Sequence, residues 1–300
     1  VRIAKSIFLL IATNLAIMLV LGIIVSVFGL DTVWMKKSGL DIKALFVGSA
    51  LFGFGGAFIS LALSRIIAKW TTGAQVITQP RTEEEAWLLS TVTDLSKRAG
   101  IALPQVAIYD SPDMNAFATG PTRNRALVAV STGLLRSMNR REVEAVLAHE
   151  VAHAANGDMV TMTLLQGVLN TFVIALSRVI GYVVDSALRG NREEDRGPGI
   201  GYFIANIVSQ IVLGILASII AAWFSRRREF QADAGAAALV GAQPMIAALD
   251  RLRRDHDEPI LPEAVKAFGI RGGHPSGFMA LFMTHPPLEV RIAALQSLGR

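Results

Sequence analysis

Four long apolar runs constrain this chain more than any other feature. They cover residues 6–30, 44–67, 159–184 and 202–224, and each is more than 20 residues long. At ~1.5 Å rise per residue, a helix of that length exceeds the ~30 Å hydrocarbon thickness of a bilayer. The runs account for a mean hydropathy of +0.46 and a 52% apolar composition, too high for an ordinary soluble enzyme. The first run is longer than the apolar stretch of a secretory signal and lacks a clear small-x-small cleavage pattern, so it reads as a span. The third run carries Gln166, Asn170 and Arg178, and the fourth Asn206 and Gln210. Such groups are costly in lipid unless they face other helices, which predicts that these two spans pack inward. Ser49, Gly53 and Ala57 in the second run repeat at four-residue spacing, which predicts a close helix contact.

The polar stretches divide the chain accordingly. Residues 1–67 read as two transmembrane helices, 68–158 as a cytoplasmic α+β domain, 159–224 as two further membrane helices, and 225–300 as a cytoplasmic C-terminal part. In 68–158, Thr82-Glu83-Glu84-Glu85 opens a helix with a capping box that Gly100 closes. Residues 105–109 and 125–131 run apolar over strand lengths, with turn signals at 110–112 and 120–124. Between them lie Asn115, Ala116, Phe117, Ala118 and Thr119, an extended segment expected at a sheet edge. After the fourth run, helices are expected at about 229–240 and 244–254, followed by a looser 259–287 stretch and a last short helix.

Chemistry enters at His149-Glu150-Val151-Ala152-His153. On a helix, residues four apart lie one above the other, so His149 and His153 can present two imidazoles to one metal ion. Glu150 emerges one position along, where a carboxylate can take a proton from water beside that ion. A helix is well specified here. Asn139 with Glu142 forms a capping-box pair, Val143, Val146 and Leu147 make an apolar stripe, and Asn156-Gly157 marks a stop. The chain has five histidines and no cysteine, so the metal would be held by nitrogen and oxygen ligands. No Walker-type loop and no aromatic-basic interleaving is visible, which excludes an ATPase of its own and gives no reason to invoke nucleic acid. The net charge of +5 suits basic cytoplasmic flanks.

A catalytic zinc site needs a third protein ligand and an open position. Glu229, Asp233, His256, His274 and His285 are the candidates. His256 lies in a charged Arg-Arg-Asp-His-Asp-Glu patch and His274 in a Gly-Gly-His-Pro loop. Glu229 and Asp233 are four apart on an expected helix and point the same way, and spacing alone does not choose between them. Parity permits a site built from both polar segments. The His149 helix follows two crossings and the segment after Phe224 follows four, so both return to the N-terminal side. Arg226, Arg227, Arg228, Arg65, Lys69, Arg140 and Arg141, with Arg2 and Lys5, lie on that side. Against them stand Lys36, Lys37, Lys43, Arg189, Arg192 and Arg196, a bias towards a cytoplasmic catalytic part.

Three separated stretches now carry a resemblance. They are His149-Glu150-Val151-Ala152-His153-Ala154-Ala155-Asn156-Gly157-Asp158, Arg226-Arg227-Arg228-Glu229-Phe230-Gln231-Ala232-Asp233, and Thr284-His285-Pro286-Pro287-Leu288-Glu289-Val290-Arg291. In that order they are similar to the signatures of the HtpX heat-shock membrane protease family, relatives of the eukaryotic CAAX-prenyl endopeptidases. The 115–120 segment and the four apolar runs resemble that family too, so the likeness covers essentially the whole chain. It implies an α-helical multi-pass membrane protein with a zincin-like, gluzincin-type α+β metalloprotease domain. One zinc ion would be held by His149, His153 and Glu229, with Glu150 as general base. Asp233 would orient a ligand histidine, and His285 and Arg291 would lie near the oxyanion. Thr284 stands where the family often has serine.

The implied activity is ATP-independent endopeptidase action in the bacterial inner membrane, with the active site facing the cytoplasm. Its partners would be unfolded or damaged membrane proteins and the lipid bilayer. Substrate would add to the edge segment as an extra strand, which fits quality control of broad specificity. Intramembrane proteolysis fits less well, because Arg140, Arg141, Glu142 and Glu144 precede His149 and are too polar for lipid. A membrane scaffold or transporter is the non-enzymatic alternative. Neither an intramembrane acid pair nor an inverted repeat favours transport, and every proposed catalytic position is filled.

Overall fold

The computed structural model describes residues 42–189, 198–257 and 281–298. The first apolar run, His274 and most of the 259–287 stretch lie outside the described residues. The chain forms two compact units, Val1–Ser60 with Met162–Ala222, and Leu61–Thr161 with Trp223–Arg300.

Helices of the first unit belong to α1 (Ile42–Thr72), α5 (Asp158–Arg189) and α6 (Ile200–Val240). These three are long and apolar enough to cross a membrane. Many large apolar side chains on them are exposed, among them Leu51, Ile59, Phe172, Ile207 and Ile211. A surface of that kind is stable only in an apolar surrounding. On α1, Ser49, Gly53 and Ala57 are buried as their spacing predicts. The reason is a close helix crossing: a Cβ on Gly53 would fall 2.5 Å from Thr171 Oγ1 and 2.8 Å from the Gly167 carbonyl. The polar residues of the spans pair locally. Gln166 Nε2 donates to Asn170 Oδ1 at 2.8 Å and Gln210 Nε2 to Asn206 Oδ1 at 3.2 Å.

In the second unit, β1 (Gln75–Val76), β2 (Gln105–Tyr109), β3 (Ala116–Thr119) and β4 (Leu127–Ser131) form one sheet in the order β1-β2-β4-β3. β2 and β4 run parallel, with Val106 opposite Val128, and β3 returns antiparallel on β4, with Phe117 opposite Ala129. Among the described residues β3 is therefore an edge strand. The expected strand at 125–131 begins two residues late, because Gly120 to Ala126 turn back tightly. Gly120 has φ 152°, and a Cβ there would meet the Arg125 carbonyl.

Helices α2 (Glu83–Arg98), α3 (Thr132–Ser137), α4 (Arg140–Asn156), α7 (Ala242–Asp257) and α8 (Leu288–Leu298) complete the described elements. Thr82 caps α2 by accepting from Glu85 N, while the Glu85 carboxylate bonds Arg81 N in place of the cap itself. The capping box of α4 is complete: Asn139 Oδ1 accepts from Glu142 N at 3.0 Å and Glu142 returns to Asn139 N at 2.9 Å. Gly157 ends α4 in the left-handed region at φ 72°. Only glycine enters that region without strain. The helix expected to start near Glu229 instead continues unbroken from Ile200. Ser225, the three arginines and Glu229 contain neither Gly nor Pro, so nothing in the sequence interrupts it.

The core lies between the sheet and α4. Val143, Leu147 and Val151 pack with Leu88, Val92 and Leu95 of α2, Val106, Val128 and Val130 of the sheet, and Met245, Leu249 and Leu295 of the C-terminal helices. Leu147 is fully buried at this junction. Leu147→Ala is expected to cost about 2–5 kcal/mol through the lost contacts and the cavity left behind. Asn139→Ala should cost about 1 kcal/mol through the lost cap. Thermal unfolding of the two detergent-solubilised variants, followed by circular dichroism, checks that order.

Candidate active site

The α4 period places His149 and His153 one turn apart, on the side of the helix that meets α6. Their Nε2 atoms are 3.1 Å apart. Glu229, on α6 and 1% exposed, closes the third side: its Oε2 is 3.5 Å from His149 Nε2 and its Oε1 is 3.3 Å from His153 Nε2. Each residue thus offers one donor atom, and all three donors lie within 4.8 Å of one another. Glu150, half-buried, follows His149 on α4, and its charge is felt by both imidazoles.

The other nitrogen of each imidazole is bonded to a carboxylate. His149 Nδ1 lies 3.0 Å from Asp233 Oδ1, and His153 Nδ1 lies 2.5 Å from Asp158 Oδ2. With each Nδ1 proton donated outward, both Nε2 lone pairs point inward, together with an acidic oxygen. Three acceptors facing one another in a buried space repel unless a cation lies between them. The surrounding acids also favour positive charge at the two imidazoles. Burial works against charge on His153, but Asp158 and Glu229 outweigh it and hold the group up at about 9. His149 is raised as well, with burial opposed by Asp233 and Glu229. The residues present fit a divalent metal ion with two nitrogen ligands and one oxygen ligand.

Asp233 lies at His149. Arg291 lies in the same cluster. It is 5% exposed, with Nε and Nη2 bonded to the two oxygens of Asp233 at 2.8 and 2.6 Å and Nη1 3.1 Å from Glu229 Oε2. Its donors brace two carboxylates behind the histidines and do not face open space. His285 is the exposed member, with 64% of its side chain accessible and Nδ1 2.8 Å from Glu229 Oε2. His256 is in α7, with its side chain outside the described set.

Three residues with clear structural parts carried no role in the sequence reading. Asp158 follows the Gly157 stop directly, so the turn that ends α4 swings its carboxylate back onto His153. In the sequence it reads only as an acid in the first turn of an apolar helix, where the helix dipole already favours it. Arg228 donates to the Asp158 carbonyl at 2.8 Å. Arg226, one turn before Glu229, donates from Nη1 to the carbonyls of Leu281 and Met283 at 3.1 and 2.6 Å, which ties down the segment leading to His285. In the sequence these arginines read only as flanking charge.

Comparison with known proteins follows the same lines. The model of peptidase family M48 matches residues 82–298. Protease HtpX of Xanthomonas oryzae pv. oryzae (strain MAFF 311018) is 57% identical over 291 residues, 97% of each chain. The Protease HtpX homolog of Chlorobium phaeovibrioides is 58% identical over 294 residues, 98% of this chain and 99% of its own. The crystal structure of S. mikatae Ste24p is similar in fold, with a TM-score of 0.60 at 21% identity. That match covers 98% of this chain, which spans 65% of the Ste24p chain.

Contact between α4 and α6 sets how near Glu229 comes to the histidines. Ala152, between them on α4, lies against Gly235, where an added Cβ would be 2.9 Å from the Ala152 Cβ. Gly235→Leu is therefore expected to push α6 away, lower bound metal, and cut activity by about 10²-fold, as an ångström-scale misplacement does. Gly55→Ala, where an added Cβ meets nothing within 4 Å, is the control. Metal analysis of both purified variants decides the outcome.

Proposed function

Because the chain belongs to peptidase family M48, and is a membrane metallopeptidase by that family and its relatives, we propose that it is a zinc endopeptidase. Its substrates are unfolded or damaged membrane proteins. The observation that carries this reading is the convergence of His149 Nε2, His153 Nε2 and Glu229, each imidazole backed by its own carboxylate. In this reading one zinc ion, bound by those three residues, would acidify a water and polarise the scissile carbonyl. Glu150 takes the proton of that water and passes it to the leaving amine. Asp233 and Asp158 keep the imidazoles in the tautomer that turns Nε2 inward. Arg291 holds Asp233 and Glu229 in place, and exposed His285 meets charge that develops on the carbonyl oxygen.

Substrate lies extended along Asn115, Ala116, Phe117, Ala118 and Thr119, bonded through its backbone. Recognition of main chain in place of side-chain sequence suits exposed segments of many proteins. In this reading the protein lies in the inner membrane, and the lysine and arginine bias beside the apolar runs supports catalytic segments, 68–158 and 225–300, that face the cytoplasm. Segments 1–67 and 159–224 are assigned to the membrane.

Glu150→Gln should keep its metal and lose at least ~10²-fold in peptide cleavage, since Glu150 moves protons and supplies no ligand. Glu229→Ala should lose the metal itself, and Asp233→Ala should show a milder defect of about 10–100-fold in affinity. Metal content and casein cleavage, measured on the same purified samples, separate the three. Turnover near wild type in Glu150→Gln sinks the mechanism, and full metal in Glu229→Ala with loss in His285→Ala replaces the ligand set.

Chelator gives an independent check. Removal of the metal should abolish casein cleavage, and zinc added back should restore it. Cleavage that persists without metal would show that a contaminating protease is responsible.

A further inference from the structure

The two faces of β3 differ, and the difference bears on which substrates are cut. Asn115 O accepts from Ser131 N at 2.9 Å, so Asn115 turns its backbone groups towards β4. Successive residues of an antiparallel strand bond alternately towards the partner and away from it. Phe117 and Thr119 therefore bond towards β4, and Ala116 and Ala118 direct N–H and C=O to the free edge. Side chains alternate across the sheet in the same way. Ala116 and Ala118 pack into the core shared with α4, whereas Phe117 packs on the opposite face with Ala107, Tyr109, Leu127 and Ala129.

On that opposite face β4 places the small side chain of Ala129 directly opposite Phe117, with Leu127 and Ser131 to either side by strand alternation. From β2 the Tyr109 ring meets the Phe117 ring, with centroids 5.6 Å apart and planes at 44°. Tyr109 is buried, at 7% exposure, and Phe117 is half-buried at the end of the row. The result is an aromatic floor that stops at the free edge, with one ring fixed and the outer ring partly open to whatever adds there.

We infer that Phe117, backed by Tyr109, forms an apolar subsite that selects a large hydrophobic side chain of the substrate. The selected residue is the one lying alongside Phe117, and its two neighbours in the substrate turn their side chains towards α4. This rests on the edge-strand reading above and adds a chemical preference to it. A peptide added to the edge must place every second side chain on the Phe117 face. A large apolar side chain there covers the open part of the ring and leaves water, whereas a charged one would be held against it. Backbone pairing makes the enzyme broad, and this one position biases it towards segments drawn from apolar spans.

Cleavage-site profiling tests the assignment. The purified full-length protein, loaded with zinc in detergent, digests a peptide library, and the products are read by mass spectrometry for wild type, Phe117→Ala, Phe117→Leu and Glu150→Gln. Wild type should favour Phe, Tyr, Leu and Met at a single position relative to the cut. Phe117→Ala should reduce the kcat/KM ratio of Phe over Gly at that position by about tenfold, the scale set by apolar pocket contacts, with flanking preferences retained. Phe117→Leu, which keeps an apolar strand residue, should hold the aliphatic preference and lose the aromatic one. Profiles of wild type and Phe117→Ala that superimpose, or a change spread evenly over all positions, overturn the subsite alone. Absence of any Glu150-dependent cleavage overturns the peptidase reading and the subsite with it.

Discussion

Two imidazole nitrogens and a carboxylate oxygen held in one buried space form the arrangement on which the catalytic unit depends. All three are acceptors, and in a medium of low polarity their mutual repulsion is costly unless positive charge lies between them. The second layer makes the arrangement possible. Asp233 and Asp158 take the Nδ1 protons, and Arg291 offsets the charge of Asp233 and Glu229 from behind. Asp233, Asp158 and Glu229 each have a stated partner, and the three inward-facing ligand atoms suit a cation.

Helix ends and small residues deliver these groups. α4 must stop one residue before Asp158, and it does so through Gly157 in a conformation that strains other residues. α6 must pass close enough for Glu229 to reach both histidines, and Gly235 against Ala152 allows that approach. Arg226, on the same face of α6 as Glu229, holds the backbone at Leu281 and Met283, which brings His285 to the Glu229 carboxylate. One stretch of helix therefore supplies a donor to the candidate metal site, a partner for His149 and an anchor for the segment that carries His285.

The sheet serves the site in a different way. Its interior strands bury apolar side chains on both faces, so Leu127–Ser131 is buried throughout. β3 is the outer strand on the side of β4, with small side chains towards α4 and a phenylalanine on the other face. A peptide added to that edge, as proposed above, would be aligned by its backbone, with alternate side chains meeting different surfaces.

Much of this was legible before any coordinates. Four-residue spacing by itself brings His149 and His153 together with Glu150 beside them, since a helix repeats every 3.6 residues. Local chemistry also marked the ends of α4, the strand at Gln105–Tyr109 and the apolar helices. These features are legible because they depend on neighbours in the chain. What remained open depended on residues far apart. Spacing left Glu229 and Asp233 equivalent, and only the crossing of α6 over α4 turns one to the Nε2 atoms and the other to a Nδ1. The burial of Arg291 between two acids, the return of Asp158 onto His153 and the meeting of Tyr109 with Phe117 across β4 have the same origin. A linear pattern fixes which face of a helix or strand a side chain occupies. Which partner that face meets is set by the packing of whole elements, and here that packing separates a donor to the candidate metal site from its support.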